Sequence, residues 1–218
     1  MQNGKQMKRY DQYCPIAHAL NVVGERWTLL VVRELFYGPK RYTDLVGNLP
    51  GIGTNILASR LKELELNGLV EKRKLPPPAA STVYELTREG LLLRPVLHEL
   101  ARFGARLIGP PPVDSLEEGW LLHALDLGLS PVSPAGRIVF RVDSEVASLV
   151  DGEVVPGEVA DPDVVIEADP TCFYHLIVNG RHDGVRIEGD PVLIDELVRG
   201  FSSLAEESAE TAERALVD

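Results

Sequence analysis

The sequence predicts two α+β domains, an N-terminal helix-turn-helix unit with a basic hairpin behind it and a C-terminal sheet covered by helices. Three observations carry this: two short apolar-periodic runs around the glycine turn "PGIG", the triple proline Pro110–Pro112, and the alternation of strand-like and helix-like runs that follows it. Consecutive prolines end a helix and favour a stiff connector. The first domain is therefore expected over residues 1–109, a linker over 110–115 and the second domain over 116–218. With 218 residues, 44% hydrophobic and 25% charged, the chain has the composition of a soluble globular protein.

Each element has its own signal. Pro15 suits the first turn of a helix "PIAHALNVV", whose Ile16, Ala19, Leu20 and Val23 recur at helical spacing before Gly24 ends it. "RWTLLVVRELFYG" places Trp27, Leu30, Val31 and Leu35 on one face, expected to be buried, and Gly38 and Pro39 stop it. "YTDLVGNL" gives a brief helix and "TNILASRLKELELNG" a longer one closed by Gly68, with Ile56, Leu57, Leu61 and Leu64 as its apolar stripe. Thr54, Asn55, Ala58, Ser59 and Lys62 remain on the other side. Next come two strands, "LVEKRKL" and "TVYEL", joined through the proline-rich "PPPAAS". A basic hairpin behind a helix-turn-helix is a winged helix.

The small polar face of the longer helix fits a major groove, where Asn and Arg address base edges and Ser or Thr approach phosphates. Lys72, Arg73 and Lys74 suit phosphate contact, which supplies affinity more than sequence choice. Charge agrees: residues 1–112 hold 16 Lys+Arg against 10 Asp+Glu, and the remainder 6 against 23, so the total of -11 averages two opposites. Only the basic half attracts a polyanion. The same helical pattern also occurs in protein-interaction domains.

Several stretches, "YCPIAHALNVVGERWTLLVVRELFYGPKRYTDL", "LPGIGTNILASRLKELELNGLVEKR" and "YELTREG", resemble the HxlR-type family of winged-helix bacterial transcription regulators over roughly residues 10–108. The resemblance implies a homodimer on a two-fold double-stranded DNA operator, held by the first and last helices of the domain. "LTREGLLLRPVLHELARFGARLIG" would be the interface helix, with Leu92, Val96, Leu100, Phe103 and Leu107. Pro95 within it requires a kink or a division into two helices. Spacing and resemblance together assign base reading to Thr54, Asn55, Ser59 and Arg60, and phosphate contact to Arg41, Lys72, Arg73 and Lys74. Cys14 resembles the cysteine with which some members of the family sense oxidants, although no second cysteine lies nearby in sequence to resolve it.

In the second half, "LEEGWLLHALDLGL" reads as a helix, "GRIVFRVDSEVASLVDGEVVPGE" as strands turning at Asp151 and Gly152, and "DVVIEAD" as a further strand. Asp169-Pro170 and Asp190-Pro191 each combine an N-cap carboxylate with proline at the first helical position, and "GVRIEGD" between them is a short strand. "PDVVIEADPTCFYHLIVNG" followed by "GVRIEGDPVLIDELVRGF" resembles the sterol carrier protein type-two fold over roughly residues 113–205. That implies a cavity for a hydrophobic small-molecule effector lined by Trp120, Phe173, Leu176 and Ile177, which otherwise are plain core. The acidic tail from Glu206 to Asp218 reads as a solvated segment.

The expected function is a cytoplasmic, homodimeric DNA-binding regulator modulated by an apolar ligand. The alternatives are an apolar-ligand carrier or enzyme retaining a winged-helix module, or a thiol regulator acting through Cys14. No GxSxG, HExxH, GxGxxG or P-loop occurs, and the five histidines lack metal-ligand spacing, so no enzyme activity, cofactor or metal is expected. Cys14 and Cys172 give neither a disulfide framework nor a zinc site. No apolar run approaches the ~20 residues that span a bilayer, so no membrane partner is expected.

Overall fold

The computed structural model describes residues 9–77, 80–112, 116, 119–128, 135–197 and 199. Linker residues 113–115, part of the "PPPAAS" loop and the acidic tail lie outside them. The chain forms two compact units, Met1–Leu97 and His98–Asp218.

The first unit runs α1 (Pro15–Val23), α2 (Thr28–Phe36), α3 (Tyr42–Asn48), α4 (Thr54–Leu66), β1 (Val70–Lys74), β2 (Thr82–Leu86) and α5 (Arg88–Leu91), and then α6 (Arg94–Ile108), which crosses into the second unit. Its core is Val31, Val32 and Leu35 of α2, Leu45 of α3, Leu57, Leu61 and Leu64 of α4, and Val70 and Val83 of the hairpin. Three short helices and one antiparallel strand pair thus share a single apolar centre, which fixes the angle of α4 against the hairpin. The "LTREG" motif has a physical role at its edge. The Thr87 hydroxyl accepts from Gly90 N–H at 3.1 Å and donates to Gly68 O at 2.6 Å, and a Cβ at Gly90 would run into the Leu69 carbonyl.

Two apolar residues differ from the sequence reading. Leu30 and Ile56, read as buried, face outward at 40% and 44% exposure while Val32 and Thr28 turn in, and in α1 Ile16 and Leu20 are exposed while Ala17 is buried. Periodicity defines an apolar face but not what lies against it. Pro95 is accommodated by division: α5 ends at Leu91, and α6 starts at Arg94 with Pro95 in its first turn, where no N–H is needed.

The second unit runs α7 (Trp120–Gly128), β3 (Arg137–Val142), β4 (Glu145–Val150), β5 (Glu153–Pro156), β6 (Val164–Ala168), α8 (Pro170–Asn179) and β7 (Arg186–Gly189), with residues 191–197 helical after it. The sheet order is β5-β4-β3-β6-β7, with β3 and β6 parallel and the other pairs antiparallel. Ile138, Val139 and Phe140 of the central β3 are fully buried, so this strand is covered on both faces. Asp151 and Gly152 both take positive φ, 49° and 86°, as a two-residue hairpin of the twist-matching type requires. A second two-residue turn, at Asp143 and Ser144, joins β3 to β4 with a positive φ of 54° at Asp143 alone, unanticipated because neither residue is glycine. Both Asp-Pro helix starts form as read: Asp169 Oδ1 accepts from Thr171 N and Cys172 N, and Asp190 Oδ1 from Val192 N.

Glu145 of β4 anchors α7, its two carboxylate oxygens each accepting one backbone N–H at 2.7 Å, from Gly119 and Leu121. Glu145→Ala leaves both amides without this partner. A loss of about 1–2 kcal/mol in urea unfolding is expected.

Candidate nucleic-acid interface

The outward face of α4 carries Thr54, Asn55, Ala58 and Lys62, with Ser59 half-buried beside them. Three apolar residues on the opposite side, Leu57, Leu61 and Leu64, are buried to 1% or less and hold the helix down. The start of α4 is fixed by Tyr42 of α3, whose hydroxyl donates to Thr54 O at 2.6 Å. The turn between α3 and α4 includes Gly51 at a φ of 84°, a conformation L residues rarely adopt. Arg41 precedes α3, its N–H donating to the Asp44 carboxylate at 2.9 Å while its side chain is exposed.

Arg60 stands apart from the outward face. Its side chain is 14% exposed, and Nη1 lies 2.6 Å from Glu63 Oε2 and 3.6 Å from Glu25 Oε2. Spacing and resemblance placed it with Asn55 and Ser59, but the carboxylate one turn on and the distant Glu25 draw it to the flank of the helix.

The hairpin divides its three basic residues between two faces. Lys72 and Lys74 share one side with Tyr84, over whose ring the Lys72 ammonium sits at 5.2 Å, and Lys72 Nζ is 3.1 Å from Glu65. The hydrogen bond to Glu65 raises the Lys72 pKa above its ordinary value. Arg73 faces the other way, in a two-point pair with Glu85 at 2.5 and 2.9 Å that holds the Glu85 carboxyl below its usual range. The side chains of Lys62 and Lys74 have no ion-pair partner among the described residues.

A polar centre that the sequence reading missed lies beneath this surface. Glu34 of α2 is 1% exposed, accepting from Arg33 Nη2 at 2.8 Å and Asn48 Nδ2 at 3.0 Å, with Lys40 Nζ at 3.5 Å. Burial pushes its pKa up, but the hydrogen bonds from Asn48 and Arg33 and the charges of Arg33 and Lys40 outweigh that, and the net shift is downward. The signal was a lone acid within an apolar-periodic helix. Lys40 in turn pairs its backbone with Tyr84 of β2 at 2.8 and 3.0 Å, so Glu34 ties α2, the end of α3 and the hairpin together.

A family model, HxlR-like helix-turn-helix, matches residues 22–111, the span that contains these elements. The chain is 33% identical over 105 residues to the HTH-type transcriptional regulator YvaP of Bacillus subtilis, covering 97% of that protein and 48% of this one. The chain belongs to the HxlR-like helix-turn-helix family. It is also 36% identical over 98 residues to the HTH-type transcriptional regulator YodB of the same organism, covering 88% of YodB and 44% of this chain. A solved structure of reduced YodB shares 34% identity over 46% of this chain and the whole of that one, at a TM-score of 0.40.

Outside the HxlR-like match, Phe173 and Leu176 of α8 are buried in the core of the second unit, and Trp120 and Ile177 are half-buried against it. Trp120 and Phe140 each meet the Phe173 ring edge-on, at 5.8 and 6.1 Å. All four residues read as a ligand lining are thus brought together, as parts of a packed aromatic and aliphatic centre. Cys14 is the half-buried N-cap residue of α1. The Cys172 thiol is pushed up, away from thiolate, chiefly by its hydrogen bond with Asp169. Among the described residues no group of three metal-ligating side chains occurs, and no helix is long and apolar enough to cross a membrane.

Proposed function

We propose that the protein is a homodimeric, sequence-specific DNA-binding transcription regulator. The observation that carries this reading is α4 within the family-matched region, a helix pinned by Leu57, Leu61 and Leu64 that presents Thr54 and Asn55 outward, with Ser59 half-buried beside them. Those three residues read bases, and Arg41, Lys72 and Lys74 take phosphates. Arg60, Lys72 and Arg73 each reach DNA only by leaving a carboxylate, Glu63, Glu65 and Glu85, and in the resting arrangement Arg60 braces the helix and Arg73 the hairpin. Replacing both Lys72 and Lys74 by Ala is expected to shallow the slope of log affinity against log salt by about 0.9 for each phosphate that is no longer neutralised, leaving the preferred sequence unchanged. A slope equal to wild type removes the wing from the interface.

Dimerisation through α1 and α6 is supported by the apolar side chains these helices leave in solvent: Ile16 and Leu20, and Val96, Leu100, Phe103 and Leu107. The last four recur at heptad-like spacing, as in a helix seam. The domain limits 1–109 and 116–218 belong to the same reading, with the second, sterol-carrier-like domain as the sensor. A hydrophobic effector would enter where Trp120 and Ile177 border the core. Thiol control through Cys14 would act at the start of a helix assigned here to the dimer.

A further inference from the structure

We infer that Glu63 makes Ser59 an acceptor-only reader, so that the base opposite it must present an exocyclic amino group in the major groove, adenine or cytosine on the contacted strand. The inference rests on α4 being the recognition helix and goes on to what it selects.

Ser59 Oγ lies 3.1 Å from Glu63 Oε1, one turn along the helix. A carboxylate only accepts, so the single hydroxyl proton of Ser59 is committed inward. Its lone pairs are then what remains for a ligand. Glu63 is itself locked: its other oxygen, Oε2, takes Arg60 Nη1 at 2.6 Å, and Arg60 is steadied from the far side by Glu25. Because both carboxylate oxygens are engaged, the carboxylate is held in place and Ser59 keeps its polarity. Adenine N6 and cytosine N4 donate in the major groove, whereas guanine O6 and N7 and thymine O4 accept and would meet lone pairs with lone pairs. The negative charge behind Ser59 acts in the same sense. Glu63 is thus a positioning residue, setting specificity through another side chain.

The test is selection from a randomised duplex library with the full-length protein and three variants, each checked for wild-type helicity by circular dichroism. Wild type should enrich sites with one position per half-site restricted to adenine or cytosine. Ser59→Ala should lose preference at that position alone, by about tenfold in relative affinity. Ser59→Thr, which keeps the hydroxyl, should retain it. Glu63→Gln, whose amide can donate to Ser59 and release its proton, should admit guanine or thymine there. A position indifferent to both Ser59→Ala and Glu63→Gln, or one occupied by guanine or thymine in wild type, overturns the inference while leaving DNA binding intact. No enrichment by any form overturns both this inference and the function it rests on.

Discussion

Leu100→Asp combined with Phe103→Asp is expected to turn the protein into a folded monomer that binds operator DNA at least ~100-fold more weakly. Phe103 is 62% exposed in the single chain and Leu100 nearly half exposed, so charges there leave both cores untouched. In a dimer the same residues would be buried, each contributing about 1.5–3 kcal/mol, and two facing carboxylates would reverse that. The weaker DNA binding follows from losing the second half-site, whose tethering raises affinity by about 10² to 10⁴. Sedimentation equilibrium should give 23.9 kDa for the variant and twice that for wild type. A wild-type monomer, or a variant that still dimerises, removes α6 from the interface.

Glu34→Ala should destabilise the first unit by about 3–5 kcal/mol, because it leaves Arg33, Lys40 and Asn48 gathered around a buried site without its anion. The pH dependence has a definite sign. The folded pKa of Glu34 is lowered from 4.5, so its stabilisation is complete above that value and is lost as pH falls through the folded pKa. Wild type should therefore melt progressively earlier below about pH 4.5, and its advantage over Glu34→Gln should narrow there. An advantage that does not narrow at all as the pH falls below about 4.5 would mean that Glu34 is held by packing and not by its charge.

The elements were legible where residues punctuate the chain. Pro15, Gly68, Asp169-Pro170 and Asp190-Pro191 each start or stop a helix by a local backbone property, and α1 ends before Gly24 as read. Direction was less legible. Ile16, Leu20 and Leu30 belong to apolar-periodic runs yet turn outward, because periodicity marks a face without saying what, if anything, packs against it. Arg60 was read as a base contact from its position in the helix, and its ties to Glu63 and to Glu25, 35 residues earlier, depend on tertiary structure. The same holds for the split of Arg73 from Lys72 and Lys74, which follows from strand register. Glu34 was passed over because an acid in an apolar run looks like an interruption until its partners from other elements are in place.

The measurement that bears most directly on the central claim is a salt series of binding between the purified full-length protein and the intergenic DNA upstream of its own gene, against a scrambled duplex of equal length. Tight binding that falls steeply with salt and prefers the native duplex is the predicted result. Equally weak binding to both duplexes would contradict it.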